Sequence, residues 1–253
     1  MRALVPLFAC LSAGAGAQGP AAAIAEQGFL PVPGGPVWYR VSGTGPGIPL
    51  LVLHGGPGST SCGFYRLDPL GDERPVIRYD QLGTGRSGRP DDLSLWRVER
   101  FVEELHAVRQ QLGLDRVHLL GHSWGGALAA AYVLEKGTRG VVSLTLSSPL
   151  LSTPQWVADA NLLRQQLPED VQRVLSEHEA AGTTDSDEYQ QASGIFYQRH
   201  VYAGEKPPES EACAGAPDPR SHPLFVEQPR QAHHALADVV FAVVGKAQTQ
   251  AVL

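Results

Sequence analysis

The chain has few cysteines and no cluster of metal-binding side chains. Its three cysteines, Cys10, Cys62 and Cys213, lie far apart in sequence and form no C-x-x-C pair. A disulfide scaffold needs a denser cysteine pattern, and a zinc site needs cysteines or histidines at ligand spacing. We therefore expect neither a disulfide scaffold nor a metal site, and no cofactor. In an oxidising compartment, Cys62 and Cys213 could still be oxidised.

Clusters of basic residues are absent as well. The chain has 20 lysines and arginines against 26 aspartates and glutamates, which gives a net charge of −6. Nucleic-acid binding depends on clustered positive charge, so this class of partner is excluded. Hydrophobic residues make up 43% of the 253 residues, which is typical of a folded protein rather than of a disordered one. The length suits one sizeable domain, with or without an inserted lid.

Long apolar runs are also missing, and a membrane span needs about 20 apolar residues. The N-terminus has one arginine, a short apolar stretch at residues 3–11, and small residues up to Ala17. This pattern predicts a secretory signal peptide at residues 1–17 and a secreted or periplasmic protein. The alternative is a misassigned start codon or a frayed tail, which would leave the protein cytoplasmic.

Short apolar runs alternate with amphipathic segments in residues 28–150, after a hairpin signal at residues 28–43. Helical periodicity occupies residues 98–112 and 124–136. This alternation predicts an α/β fold, a mostly parallel sheet with helices on both faces. Four runs are typical of strands buried on both faces: residues 50–53, 75–79, 116–120 and 141–146.

The pattern becomes purely helical after the fourth predicted strand. Apolar residues at helical spacing occupy residues 156–167, 170–180 and 188–200. We therefore predict a helical cap over residues 151–208, inserted after the core.

Residues 121–126 read GHSWGG and follow a predicted strand directly. A strand that runs into Gly-x-Ser-x-Gly and then into a helix is the context of a nucleophile elbow. Such a turn is strained, so side chains at Gly121 and Gly125 would collide with neighbouring backbone. We predict that Ser123 is a nucleophile at the N-terminus of a helix, whose dipole favours developing negative charge. The alternative is a chance match in a glycine-rich chain.

Residues 53–59 read LHGGPGS and follow another predicted strand. Acyl transfer needs two backbone N–H groups directed at the oxyanion. One comes from the residue after the nucleophile, here Trp124, and one from a loop after a neighbouring strand. The backbone of Gly55 and Gly56 can approach a substrate closely, and Pro57 stiffens the loop. A plain glycine turn is the alternative.

Residues 79–90 read YDQLGTGRSGRP, a glycine-rich stretch after a third predicted strand. No helix begins at the last glycine, so we exclude a dinucleotide-binding loop. We expect Asp80, Arg86 and Ser87 to connect this stretch to the LHGGPGS loop, or else to form a solvated polar turn.

The three stretches together resemble the proline iminopeptidase family of α/β-hydrolases, in the order HGGPG, DQ-x-G-x-G-x-S and GHSWGG. The predicted cap resembles the lid of bacterial members, and the resemblance extends over residues 28–208. It implies a serine aminopeptidase that releases an N-terminal residue, often proline, from short peptides, or a relative that acts on amino-acid amides or esters. It also implies Ser123 as nucleophile and Gly56 and Trp124 as oxyanion donors, in a hole shaped by His54, Gly55, Pro57 and Gly58.

The sequence departs from this family after the cap. A serine nucleophile needs a histidine base and an acid that orients it. In this fold they follow in the order Ser, Asp/Glu, His. Residues 209–253 contain one apolar run but no Asp turn, Gly-His loop or Gly-Pro-x-Glu-Phe stretch of the family. The base and acid are therefore unknown, and the candidates are His222, His233 and His234 with Asp218 or Asp238.

A truncated or frame-shifted product is the hypothesis that best explains this divergent tail. It predicts an open sheet edge near residues 141–146. Three functions stay open: a proline iminopeptidase-type hydrolase, an esterase or amidase on the same fold, and an inactive fragment or non-catalytic binding protein. The enzyme hypotheses imply a small peptide, an amino-acid amide or an ester as substrate. The sequence does not indicate an oligomeric state.

Overall fold

The computed structural model describes residues 27–201, in which helices surround one mixed sheet. The strands are β1 (Gln27–Val32), β2 (Gly35–Ser42), β3 (Leu50–Leu53), β4 (Val76–Tyr79), β5 (Val117–His122) and β6 (Val141–Ser147). The α-helices are α1 (Val98–Gln111), α2 (Trp124–Lys136), α3 (Thr153–Arg164), α4 (Glu169–Ala181) and α5 (Asp187–His200). The predicted signal at residues 1–17 and the tail at residues 209–253 lie outside the described residues.

The sheet has the strand order β1-β2-β4-β3-β5-β6. β3 lies between β4 and β5 and pairs with both in parallel, and β6 pairs with β5 in parallel. The β1–β2 hairpin joins the sheet through an antiparallel pairing of β2 with β4. The predicted α/β architecture with a mostly parallel sheet is therefore confirmed, and so is the predicted hairpin.

The central strands are buried because both faces of the sheet are covered there. Leu51 and Leu53 of β3 pack into the same apolar core as Phe101 of α1 and Trp124 of α2. Val52 is also fully buried but lies outside that core, as expected for a side chain on the opposite face of a strand. A 3-10 helix (Ser61–Asp72) contacts β3 and β4. Cys62 in this helix is disulfide-bonded.

Strand β6 does not match the prediction of a strand buried on both faces. Val142, Leu144 and Leu146 are 41%, 36% and 36% exposed. The apolar run predicted burial, but burial depends on what packs over the strand, and within residues 27–201 β6 is an edge strand. The described part of the chain thus shows the open edge that the sequence predicts. In these residues, no helix is long and apolar enough to cross a membrane.

The three helices after β6 pack unequally. α4 and α5 enclose a small apolar core of their own, whereas α3 has no buried residue. α3 begins at Thr153, before the predicted residue 156, because Ser152 caps it. The Ser152 hydroxyl accepts a hydrogen bond from the Gln155 N–H at 3.3 Å, which is the usual role of serine at a helix N-terminus.

Gly194 lies on the exposed surface of α5, where an added Cβ would meet nothing within 4 Å. Glycine in a helix loses more backbone entropy on folding than alanine does. We expect Gly194→Ala to raise the free energy of unfolding by about 0.5–1 kcal/mol. Urea unfolding of the two chains measures the difference, and an unchanged or lower stability would contradict the assignment of Gly194 to a regular, solvent-facing helical turn.

Candidate active site

Ser123 lies at the junction of β5 and α2 in a strained backbone conformation, with φ 52° and ψ −119°. Positive φ is costly for a residue with a side chain and persists only where surrounding contacts enforce it. The Ser123 N–H donates to the Ser147 carbonyl at 3.0 Å, and the Ser123 carbonyl accepts from Leu150 N–H at 3.1 Å. Two hydrogen bonds to the segment around the end of β6 therefore hold this turn in place.

The glycines that flank Ser123 are required by close backbone approaches. A Cβ on Gly121 would lie 2.2 Å from the Gly125 carbonyl oxygen, and a Cβ on Gly125 would lie 2.2 Å from the Leu53 carbonyl oxygen. Both distances are far below van der Waals contact. The steric role predicted for these two glycines is confirmed.

The HGGPG loop passes directly beside this turn. A Cβ added to Gly55 would lie 3.1 Å from the Ser123 Cβ. Gly56 has φ 118° and is followed by a cis peptide bond to Pro57. Trp124 is the first residue of α2, and the first N–H groups of a helix have no partner within it. The structure therefore brings together the two segments that carry the predicted nucleophile and the predicted oxyanion donors.

His54 is fully buried, and both of its ring nitrogens have backbone partners. Nδ1 lies 2.9 Å from the Gly55 carbonyl, to which it donates, and Nε2 accepts a hydrogen bond from the Gln81 N–H at 3.0 Å. Burial lowers the pKa of the imidazole, and the nearby Asp80 carboxylate opposes this shift only in part. A neutral His54 therefore shapes the loop and leaves no ring nitrogen for Ser123.

The pKa of His54 predicts a loss of stability in acid. The unfolded imidazole takes up a proton near pH 6.5, whereas the folded one does so only at lower pH. Below pH 6.5 the unfolded chain binds more protons, so the stability present above this pH is lost as the pH falls through the folded pKa. Relative to His54→Gln, which does not titrate, we expect the free energy of unfolding to fall by up to about 1.4 kcal/mol per pH unit.

Urea unfolding of the two chains between pH 7.5 and 5 measures this difference. Other titrating groups are common to both chains and cancel in the comparison. A pH-independent difference would show that His54 is not held neutral.

The hydrogen bonds of Asp80, Arg86 and Ser87 do not reach the HGGPG loop, so these residues do not make the expected connection by hydrogen bonding, although the Asp80 carboxylate acts electrostatically on His54. The Asp80 carboxylate accepts hydrogen bonds from the Ser61 N–H and hydroxyl, each at 2.8 Å, and from the Arg86 N–H at 3.0 Å. The Ser87 hydroxyl accepts from the Trp38 N–H at 2.8 Å. Asp80 thus joins its loop to the 3-10 helix through Ser61, and Ser87 joins it to β2 through Trp38.

Gln81 makes the expected connection instead, although it was not among the predicted site residues. Its side-chain amide donates to the His54 carbonyl at 3.0 Å and accepts from the Trp124 indole N–H at 3.0 Å. The signal was present in the sequence, since Gln81 is part of the DQ pair that carries the family resemblance.

No imidazole in residues 27–201 hydrogen-bonds the Ser123 hydroxyl. His122 is adjacent in sequence, but its Nδ1 lies 3.1 Å from the Ser147 carbonyl and its ring contacts Phe64 edge-on. His118 bonds the Ser143 hydroxyl. The five candidates for base and acid, His222, His233, His234, Asp218 and Asp238, lie outside the described residues. Within the described range, no group of three or more His, Cys, Asp or Glu side chains could hold a metal ion.

Known proteins match most of this chain. It is 50% identical over 184 residues to a proline iminopeptidase of Heyndrickxia coagulans, covering 72% of this chain and 64% of that protein. Identity to the proline iminopeptidase of Clostridium botulinum is 41% over 194 residues, covering 76% and 66% of the two chains. The crystal structure of a Mycobacterium smegmatis proline iminopeptidase is 38% identical with a TM-score of 0.62, covering 69% and 61%.

The chain thus spans 64% and 66% of the length of the first two relatives. The α/β-hydrolase fold family matches residues 48–205, which is more than half of the chain. The predicted resemblance is confirmed: this chain belongs to the α/β-hydrolase fold family and, within it, is similar to the proline iminopeptidases.

Proposed function

We propose that this chain is a serine aminopeptidase of the proline iminopeptidase type, which releases an N-terminal residue, preferentially proline, from small peptides. The observation that carries the proposal is the strained Ser123 turn, which lies against Gly55 of the HGGPG loop. A residue keeps such a conformation only where the fold enforces it, and strain of this kind clusters at functional sites. The names of the relatives support the choice of substrate.

In the proposed reaction, the Ser123 Oγ attacks the carbonyl carbon of the N-terminal residue and gives its proton to a general base. The carbonyl oxygen becomes negative and is stabilised by the N–H groups of Gly56 and Trp124 and by the N-terminus of α2. The C–N bond then breaks, the base returns the proton to the leaving amine, and an ester on Ser123 remains. Water cleaves this ester, which frees the amino acid and restores the hydroxyl.

The general base and acid remain unknown in this proposal, and the candidates are His222, His233 or His234 for the base and Asp218 or Asp238 for the acid. Asp218 fits the chain order Ser, Asp, His that this fold uses, whereas Asp238 follows all three histidines. Alanine substitution of each histidine, assayed by turnover, identifies the base.

Two further proposals concern the organisation of the chain. We propose that residues 151–208 form a cap over the site, supported by the position of α3, α4 and α5 after β6 and by the separate core of α4 and α5. We also propose that residues 1–17 direct the protein to a secreted or periplasmic location.

The test of the proposed function is a comparison of three substrates by the purified chain: a prolyl anilide, an alanyl anilide and a simple acyl ester. Faster turnover of the prolyl anilide than of the alanyl anilide supports the proposal. Turnover of the ester alone would favour the esterase alternative. Failure to turn over any of the three by a folded sample would contradict a catalytic function.

A further inference from the structure

Gln81 connects the two segments that hold the predicted oxyanion donors. The glutamine is 1% exposed, and three of its hydrogen bonds, each of 3.0 Å, join it to His54 and Trp124. Its backbone N–H donates to His54 Nε2, its side-chain amide N–H donates to the His54 carbonyl, and its side-chain oxygen accepts from the Trp124 indole N–H. One side chain thus bridges the loop after β3 and the first residue of α2.

We infer that Gln81 is a positioning residue, which sets the spacing between the Gly56 and Trp124 backbone N–H groups. This inference rests on the proposed function. The His54 carbonyl belongs to the peptide that precedes Gly55, one residue before the proposed donor on Gly56. The indole belongs to Trp124, whose own backbone N–H is the other proposed donor. A rigid link between these two anchors therefore fixes both ends of the oxyanion hole.

The amide side chain of Gln81 satisfies both partners at once. The His54 carbonyl requires a donor and the Trp124 indole N–H requires an acceptor, and a primary amide offers both on one planar group. Because the bridge is excluded from water, loss of the amide leaves a buried donor and a buried acceptor without partners. Without the amide, we expect the loop after β3 and the first turn of α2 to move apart or to rotate relative to each other.

The surroundings of Gln81 allow it little movement. Thr84 donates from its hydroxyl to the Gln81 carbonyl at 2.8 Å, which fixes the backbone. The Trp124 ring packs edge-on against Phe101 at 5.7 Å between centroids. His54 donates from Nδ1 to the Gly55 carbonyl, so the histidine and the loop move as one unit. His54 and Trp124, the two residues that Gln81 connects, are therefore each held by a further contact.

The test compares Gln81→Met with Ser87→Ala in the full chain, using a prolyl anilide. Methionine keeps the length of glutamine without the hydrogen bonds of its side chain. Alanine at residue 87 removes the buried hydrogen bonds of the Ser87 hydroxyl to Trp38 and Asp80, in the same loop, and leaves the contacts of Gln81 with His54 and Trp124 in place. We expect Gln81→Met to lower kcat by about 10- to 100-fold with little change in KM, because misplaced donors weaken transition-state binding. The effect of Ser87→Ala on kcat should be smaller.

A double-mutant cycle with Trp124→Phe tests whether the bridge is the cause. Phenylalanine removes the indole N–H but keeps the backbone donor of residue 124. If Gln81 acts through this hydrogen bond, the double variant should lose no more than the larger of the two single losses. Multiplied losses, an unchanged kcat in Gln81→Met, or a change in KM alone would overturn the inference.

Amide hydrogen exchange of the HGGPG loop reports on the same link and does not require turnover. This measurement therefore tests the role of Gln81 separately from the proposed function. If the unaltered chain turns over no anilide, the proposed function fails, and the exchange result still decides the role of Gln81. Faster exchange of residues 54–58 in Gln81→Met but not in Ser87→Ala supports the positioning role. Equal exchange of this segment in Gln81→Met and in the unaltered chain would overturn it.

Discussion

Ser123→Ala is expected to abolish turnover of a prolyl anilide, with a fall in kcat of at least about 10⁴-fold. Removal of the nucleophile from an acyl-transfer triad lowers kcat by at least this factor. The alanine cannot form the acyl ester. The oxyanion donors and the strained turn would remain, so substrate binding should change much less than kcat does. Steady-state kinetics with the anilide measure both quantities.

Ser143→Ala is the matched control for this experiment. Ser143 also lies beside a histidine, since its hydroxyl bonds His118 of β5, but this pair is exposed and Ser143 itself lies on the edge strand β6. We expect this variant to keep its turnover. A fluorophosphonate probe should label the unaltered chain and Ser143→Ala but not Ser123→Ala. Turnover that persists in Ser123→Ala would refute Ser123 as the nucleophile.

The elements of this fold could be predicted because their signals are local in sequence. The helix over residues 98–112 follows from apolar side chains three and four positions apart, and α1 indeed buries Val98, Phe101 and Leu105 on one side. The roles of Gly121 and Gly125 also follow from local geometry, because a strand-to-helix turn around a serine brings the backbone close to itself.

The contacts of the site could not be predicted in the same way. Gln81 is 27 residues from His54 and 43 residues from Trp124 in sequence, and no periodic pattern reports a contact over such distances. Membership of His54 in the loop was visible in the HGGPG motif. Its burial, its neutral state and its bond to Gln81 depend on how β3 and β4 lie beside each other in the sheet.

Burial of β6 is the converse case, in which a local signal was misleading. A run of valine and leucine predicts a strand that is buried on both faces. In the described residues, however, most side chains of β6 are exposed. Strand formation depends on the run itself and on pairing with β5. Burial depends on other elements, which a short stretch of sequence does not specify.

Gly125→Ala is expected to lower the free energy of unfolding by about 3 kcal/mol, at the upper end of the cost of overpacking. A Cβ at this position would lie 2.2 Å from the Leu53 carbonyl oxygen and 2.6 Å from that of His54. Both contacts are with backbone, so no side chain can move aside. The helix α2 must shift away from β3, and the Trp124 N–H moves with it. We therefore expect turnover to fall together with stability.

Gly63→Ala separates this collision from the general effect of replacing glycine. An added Cβ at residue 63 would meet nothing within 4 Å, at an exposed position of the 3-10 helix. Its stability should stay within about 0.5 kcal/mol of the unaltered chain, as is usual for surface substitutions. Urea unfolding of the three chains gives the comparison. If Gly125→Ala were as stable as Gly63→Ala, the close approach of α2 to β3 would not constrain the site, and the conformation of Ser123 would need another cause.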